Sequence, residues 1–186
     1  MMKVPDDAKE IFKGEVFNVY HWEQENKDGS TTTQEMLRRP DTVQIIATEK
    51  NKVLFAKQKQ PRTKVFFSPF GGRVEKDEDP LETAKRELLE ESGYESDDWE
   101  LLKKREPYSN KMEWTIYTYI ARNCKKVAPQ NLEPEEDIEV VSLRFKKFVD
   151  LMFDEEAFHG NSVRYEFLKA KAFGTLRDLK KKIFKG

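Results

Sequence analysis

Apolar and polar positions alternate in short bursts along most of this chain, and those bursts predict strands. Residues 14–23, GEVFNVYHWE, are rich in β-branched and aromatic side chains and read as a strand. NKDGS follows with the Asp28–Gly29 turn signal, and TTTQEMLRR returns as a second strand that Pro40 closes. Together they predict an N-terminal hairpin. TVQIIAT (42–48) is a nearly unbroken apolar run, expected to be a strand buried on both faces, and KVLFAKQ (52–58) pairs with it across the polar turn EKN. A loop with Pro61, Pro69, Gly71 and Gly72 covers about 60–72. Further strands are expected at 99–104, 113–121 and 138–143, the first two separated by the turn-prone EPYSNKM and the last preceded by the acidic loop APQNLEPEED at 128–137.

Only three stretches change period from two to 3.6. The clearest begins at Asp79, which can cap a helix with Pro80 in the first position and Glu82 at capping-box spacing, and ends at Gly93, a natural stop. A short helix is read at 145–153, and a lysine-rich helix from about Ser162 to the C-terminus.

Composition narrows the class. The chain has 186 residues, enough for one domain with a small appendage. Charged residues make up 37%, yet 13 Phe, 6 Tyr and 3 Trp supply a core. With 34 basic and 35 acidic residues the net charge is −1, so no global field draws the chain to nucleic acid or to an anionic membrane, and neither is expected as a partner. No stretch approaches the roughly 20 apolar residues of a membrane span, and the start lacks the apolar run of a signal peptide. The single cysteine, Cys124, suits a reducing, cytoplasmic setting and is expected to pack as a small apolar side chain.

The helix that starts at Asp79 carries the candidate chemistry. Glu87, Glu90 and Glu91 stand at i, i+3 and i+4, so their carboxylates share one face, while Leu81, Ala84 and Leu88 form the neighbouring stripe that anchors the helix to a sheet. Converging carboxylates at the border of a core repel one another unless a cation neutralises them, and hard divalent ions take such oxygen ligands. A solvated acidic helix has the same composition; the residues around the cluster separate the two readings. Gly72, five spacers, Glu78, seven spacers and then RELLEESGY at 86–94 match Gly72, Glu78, Arg86, Glu87, Leu88, Glu90, Glu91 and Gly93 to the signature of the Nudix family. With fixed residues at roughly 7% background each, a chance match is on the order of 10⁻⁸ per register.

The chain therefore resembles a Nudix hydrolase, and across its length the ADP-ribose pyrophosphatase branch. That resemblance implies a Nudix-type α/β/α sandwich with a mixed sheet, residues 41–186, preceded by a hairpin appendage, residues 1–40. It implies a pyrophosphohydrolase cleaving a nucleoside diphosphate-linked small molecule, ADP-ribose or a related nucleoside diphosphate sugar, to a nucleoside monophosphate and a sugar phosphate. Other Nudix substrates, nucleoside triphosphates or dinucleotides, and a catalytically silent nucleotide sensor are the alternatives. The implied cofactor is Mg²⁺, with Mn²⁺ as a substitute, held by Glu87, Glu90, Glu91 and the Gly71 carbonyl. Gly72 brings the backbone close to the phosphates, and Arg86 pairs with Glu78 to clamp loop to helix. Glu136 or Glu135, in the acidic loop with Glu133, is the implied general base. The branch forms homodimers by exchanging hairpins, which implies that Arg38 reaches substrate across the dimer and that Arg62 or Lys64 contacts phosphate where Gln60 cannot. Thr33 stands where some members stack the base on tryptophan; Trp22 or Phe17 is the expected substitute.

Overall fold

The structure is a computed structural model that describes residues 3–185 except Pro61, Tyr108, Ser109 and Glu155. Tyr108 and Ser109 of the expected turn thus lie outside the described residues. In chain order the elements are β1 (Lys9–Lys13), β2 (Asn18–Glu25), β3 (Thr31–Arg38), β4 (Thr42–Glu49), β5 (Lys52–Gln58) and β6 (Phe66–Ser68). Then follow α1 (Pro80–Ser92), β7 (Tyr94–Glu95), β8 (Asp98–Arg105), β9 (Met112–Glu113), β10 (Ile116–Arg122), β11 (Lys125–Lys126) and β12 (Ile138–Arg144). The chain closes with α2 (Phe145–Met152), α3 (Asn161–Ala172) and α4 (Leu176–Phe184). No helix among the described residues is long and apolar enough to cross a membrane.

The central sheet runs β12-β5-β4-β10-β8, with β6 added beside β5. It is mixed: β4 and β10 are parallel, and the other pairs along it are antiparallel. Strand β4 explains the layering. Its Val43, Ile45 and Ala47 point to one face and pack with Ala84 and Leu88 of α1. Ile46 points to the other, joining Phe55 and Ile120 under Phe148 of α2, Phe167 of α3 and Ile183 of α4. A strand buried on both faces needs a helical layer on each side. The result is an α/β/α sandwich, as the resemblance implied.

The N-terminal hairpin is present in β2 and β3, paired from Asn18↔Arg38 to Glu25↔Thr31, with Gly29 at φ 82° in the turn. It belongs to a larger four-stranded sheet, β1-β2-β3-β9. The flanking strands escaped the sequence reading because β1 is exposed along its whole length and β9 is two residues long. The C-terminal helix expected from about Ser162 is two helices. Gly174, at φ 71°, breaks it in a conformation that favours glycine.

Helix α1 begins and ends where its caps dictate. Asp79 Oδ1 accepts from the backbone N–H of Leu81 (2.8 Å) and Glu82 (3.4 Å), and Gly93, left-handed at φ 69°, donates to the Leu89 carbonyl. Glu82 pairs with Lys85 at 2.7 Å, one turn along the helix. Asp79→Ala is expected to cost about 1 kcal/mol, read as a drop of roughly 2–4 °C in the melting temperature. An unchanged melting temperature would mean that packing alone sets the start of this helix.

Candidate active site

Two glycines bring a loop against both the sheet and α1. The segment around 70–74 lies along β4: Phe70 and Gly72 accept from the N–H groups of Ile45 and Val43 (2.8 and 2.9 Å), and Val74 donates to the Asp41 carbonyl (2.8 Å). Gly71 stands between, at φ 141°, where a Cβ would lie 2.1 Å from the Val43 carbonyl oxygen, so only glycine fits. Its N–H donates to Glu91 Oε2 at 2.7 Å. Among the described residues, no N–H donates to the Gly71 carbonyl. At Gly72 a Cβ would lie 2.3 Å from Glu87 Oε1, so the second glycine makes room for a carboxylate.

The glutamates of α1 are held in different ways. Arg86 donates to both Glu78 oxygens (3.1 and 3.2 Å) and, through Nη1, to Glu87 (3.0 Å) and Glu90 (2.9 Å). This is the loop-to-helix clamp expected of Glu78 and Arg86, extended to two more carboxylates. Glu78, so clamped, has its carboxyl lowered to about 2. Burial pushes the Glu87 carboxyl up to about 6, against the pull of Arg86. Glu91 is 6% exposed, and burial raises its carboxyl well above the usual range; the Gly71 N–H opposes this, while the charges of Glu87, Glu136 and Glu90 add to it. Glu136 comes from the loop before β12, a different part of the chain, yet it enters the same field.

Of these carboxylates, Glu87 and Glu136 line an open cleft of about 500 Å³, whose wall also includes Glu133, Gly71 and Gly72. Glu136 Oε2 accepts from the Glu133 N–H at 3.0 Å, which turns the loop back on itself. Glu135 is exposed and is not part of the wall. Two arginines without a carboxylate partner among the described residues, Arg39 and Arg73, also line the cleft. Arg39 stacks on Trp114 at 4.4 Å, its buried Nε has no hydrogen-bond partner among the described residues, and burial and the charge of Arg73 both work against its ionised form. A second aromatic wall is the stacked pair Phe66 and His159, 4.2 Å apart.

The structure brings together Gly71, Gly72, Glu87, Glu90, Glu91 and Glu136 of the expected site. Arg38 lies elsewhere: it is paired with Glu113 (2.9 and 3.1 Å) and sits over Tyr20, so the cleft receives its neighbour Arg39. Arg62 and Lys64 are exposed loop residues outside the wall, whereas Gln60 is in it. Phe17 contacts Arg39 from outside the cleft, and Trp22 is on β2; the aromatic residues within are Trp114, Phe66, Phe70 and His159. Arg39, Trp114, Phe66 and His159 were not expected. Arg39 had a weak signal, because side chains alternate along a strand end. Trp114 and His159 had none.

Among the described residues, no group of three or more His, Cys, Asp or Glu side chains is arranged to enclose a metal ion. The reason lies in the donors: Arg86 draws Glu87 and Glu90 toward itself, and the Gly71 N–H holds Glu91. The donor set nonetheless suits a hard divalent cation. It is all oxygen, partly buried, mutually repelling and next to a carbonyl free of backbone donors.

The sequence profile of the NUDIX domain matches residues 37–165. The methanol dehydrogenase activator of Bacillus methanolicus is 29% identical over 159 residues, spanning 84% of this chain and 86% of that protein. The ADP-ribose pyrophosphatase of Bacillus subtilis (strain 168) is 37% identical over 90 residues, 47% of this chain and 49% of that one. A crystal structure described as an ADP compounds hydrolase has the same fold, with a TM-score of 0.70 over 96% of this chain and 92% of its own, at 18% identity. With the signature at Gly72–Gly93 seated on a cleft of carboxylates and arginines, the chain belongs to the Nudix family of hydrolases.

Proposed function

We propose that this Nudix hydrolase cleaves the diphosphate of ADP-ribose or a related nucleoside diphosphate sugar, with Mg²⁺ as cofactor and Mn²⁺ as substitute. The observation that carries the reading is one cleft holding both signs of charge: Glu87, Glu133 and Glu136 with Arg39 and Arg73. The ADP-ribose pyrophosphatase relative supports the substrate class. Glu87, Glu90, Glu91 and the Gly71 carbonyl would hold the cation, whose chemistry there would be to screen the diphosphate charge and lower the pKa of a water. Arg39 and Arg73 bind phosphate oxygens, and Trp114 presents a flat apolar face to the nucleoside. Glu136, in preference to Glu135, accepts the proton of the attacking water. The water oxygen forms a bond to one phosphorus as the bridging P–O bond breaks, and the departing phosphate leaves with the bridging oxygen.

We further propose the division into a hairpin unit, 1–40, and a hydrolase unit, 41–186, and a homodimer built through the hairpins. Exposed Ile11, Phe12 and Phe17 on the N-terminal segment support this, since burial against a second copy removes their apolar surface from water.

A substrate panel with Mg²⁺, resolved by product, tests the reading. ADP-ribose is expected to yield AMP and ribose 5-phosphate with a kcat/KM at least about tenfold above that for nucleoside triphosphates, a difference of about 1.4 kcal/mol in transition-state binding. Faster turnover of triphosphates or of dinucleotides would assign the cleft to those substrates instead.

A further inference from the structure

A second cavity, of about 610 Å³, shares no residue with the active-site cleft. Three separate segments build it: Lys50 and Asn51 in the β4–β5 turn, Arg144 and Lys146 at the start of α2, and Arg177, Lys180 and Lys181 on α4. Phe145 and Phe184, edge to face at 6.1 Å, supply its apolar surface. Among the described residues the wall thus carries six cations and no carboxylate.

None of the six is in an ion pair among the described residues. That is not a general property of the lysine-rich helix. Lys182 and Lys185 of the same C-terminal segment are paired, with Glu100 at 3.0 Å and Asp98 at 2.6 Å. The start of α2 adds to the field, for Arg144 occupies the cap position without a side-chain hydrogen bond and the first turn has no acidic residue. A protein of net charge −1 has ample acidic side chains to intersperse, yet among the described residues this concavity has none. Like charges gathered on a concave wall with an apolar floor repel one another, and a bound anion relieves that repulsion.

The size of the cavity selects the occupant. Small-molecule sites fall at about 300–1,000 Å³, whereas a stable protein partner covers on the order of 800 Å² on each side. We propose that this cavity binds a phosphorylated small molecule with a planar ring, of the nucleoside polyphosphate class. Its phosphates meet the lysines and arginines, and its ring lies against Phe145 and Phe184. The proposal does not rest on the substrate assigned to the Nudix cleft.

Isothermal titration with ATP in EDTA, which removes divalent ions from the catalytic cleft, tests it on the full chain. Reversing two charges, Lys180→Glu with Lys181→Glu, is expected to weaken ATP binding by at least about tenfold while Nudix turnover stays unchanged. Phe184→Ala is expected to weaken it by about tenfold through lost stacking, with little effect on the affinity for inorganic tripolyphosphate. The proposal is overturned if ATP does not bind, or if the charge-reversed protein binds it normally, which would place ATP elsewhere. Tripolyphosphate binding as tightly as ATP, or single-stranded oligothymidine binding far more tightly, would overturn it too, the first by removing the ring's role and the second by reassigning the surface to nucleic acid. The charge reversals sit on exposed side chains, so they remain informative where loss of the Phe184 ring disturbs packing.

Discussion

Glu91→Gln is expected to lower kcat by roughly 10³-fold while the melting temperature stays at or above that of the unaltered protein. The carboxylate is 6% exposed, accepts from the Gly71 N–H at 2.7 Å and shares its surroundings with the charges of Glu87, Glu90 and Glu136. Folding alone gives little reason to put it there. Burying a carboxylate among others costs free energy, and the single N–H that compensates would serve an amide oxygen equally well. Glutamine keeps the shape and that hydrogen bond, and removes only the charge. If the charge exists to hold a cation against a diphosphate, its loss appears in turnover and not in stability. Steady-state kinetics and thermal melting on one preparation separate the outcomes. Near-normal kcat removes Glu91 from the chemistry; a large fall in melting temperature makes the carboxylate structural.

Much of this was legible in the sequence because it is local. Asp79, Pro80 and Gly93 fix the ends of α1 within a few residues, and the 3.6 period places Ala84 and Leu88 in the core beside the glutamates. Strands β4 and β5 follow from unbroken apolar runs. The carboxylates of α1 and the acidic loop were therefore readable, with Glu136 and Glu135 left as alternatives; of the two, Glu136 lines the cleft. The cationic and aromatic side was not. Arg39 meets Trp114 only because β10 lies parallel to β4, bringing residues far apart in sequence to the same end of the sheet. Phe66 meets His159 through a bridge between Phe67 and Phe158 and a hydrogen bond from the His159 N–H to the Phe67 carbonyl, links without sequence period. Short strands such as β6, β7 and β11 escape for the same reason: two or three residues are too few to show alternation.

Arg122→Met is expected to destabilise the fold by about 3 kcal/mol, a loss of roughly 6–12 °C in melting temperature. In sequence Arg122 directly follows the apolar run TIYTYIA. In the fold it is 1% exposed. Its guanidinium donates to Asp98 at 3.0 Å, to Glu100, and twice to the Lys182 carbonyl at 3.0 and 2.6 Å, so one side chain ties β10 to β8 and to α4. Methionine fills much of the volume but takes the guanidinium from two carboxylates, which keep only Lys185 and Lys182, and leaves a helix carbonyl without its donors. Asp98 and Glu100 are partly exposed and recover some hydration, which keeps the cost at the lower end for a broken buried pair. Acid gives a second reading with a definite sign. Lys185 and Arg122 hold the Asp98 carboxyl below its ordinary 3.8, and Arg122 holds that of Glu100 below 4.5, so both stabilise the fold above those values and lose that contribution as pH falls through their lowered values. The gap between variant and unaltered protein should therefore be full at pH 7 and narrow below about pH 4, when protonation removes the partners that Arg122 serves. Urea unfolding at the two pH values checks this. A gap that does not change with pH would mean that Arg122 acts through packing and the Lys182 carbonyl alone, and that the ion pairs contribute nothing to holding α4 on the sheet.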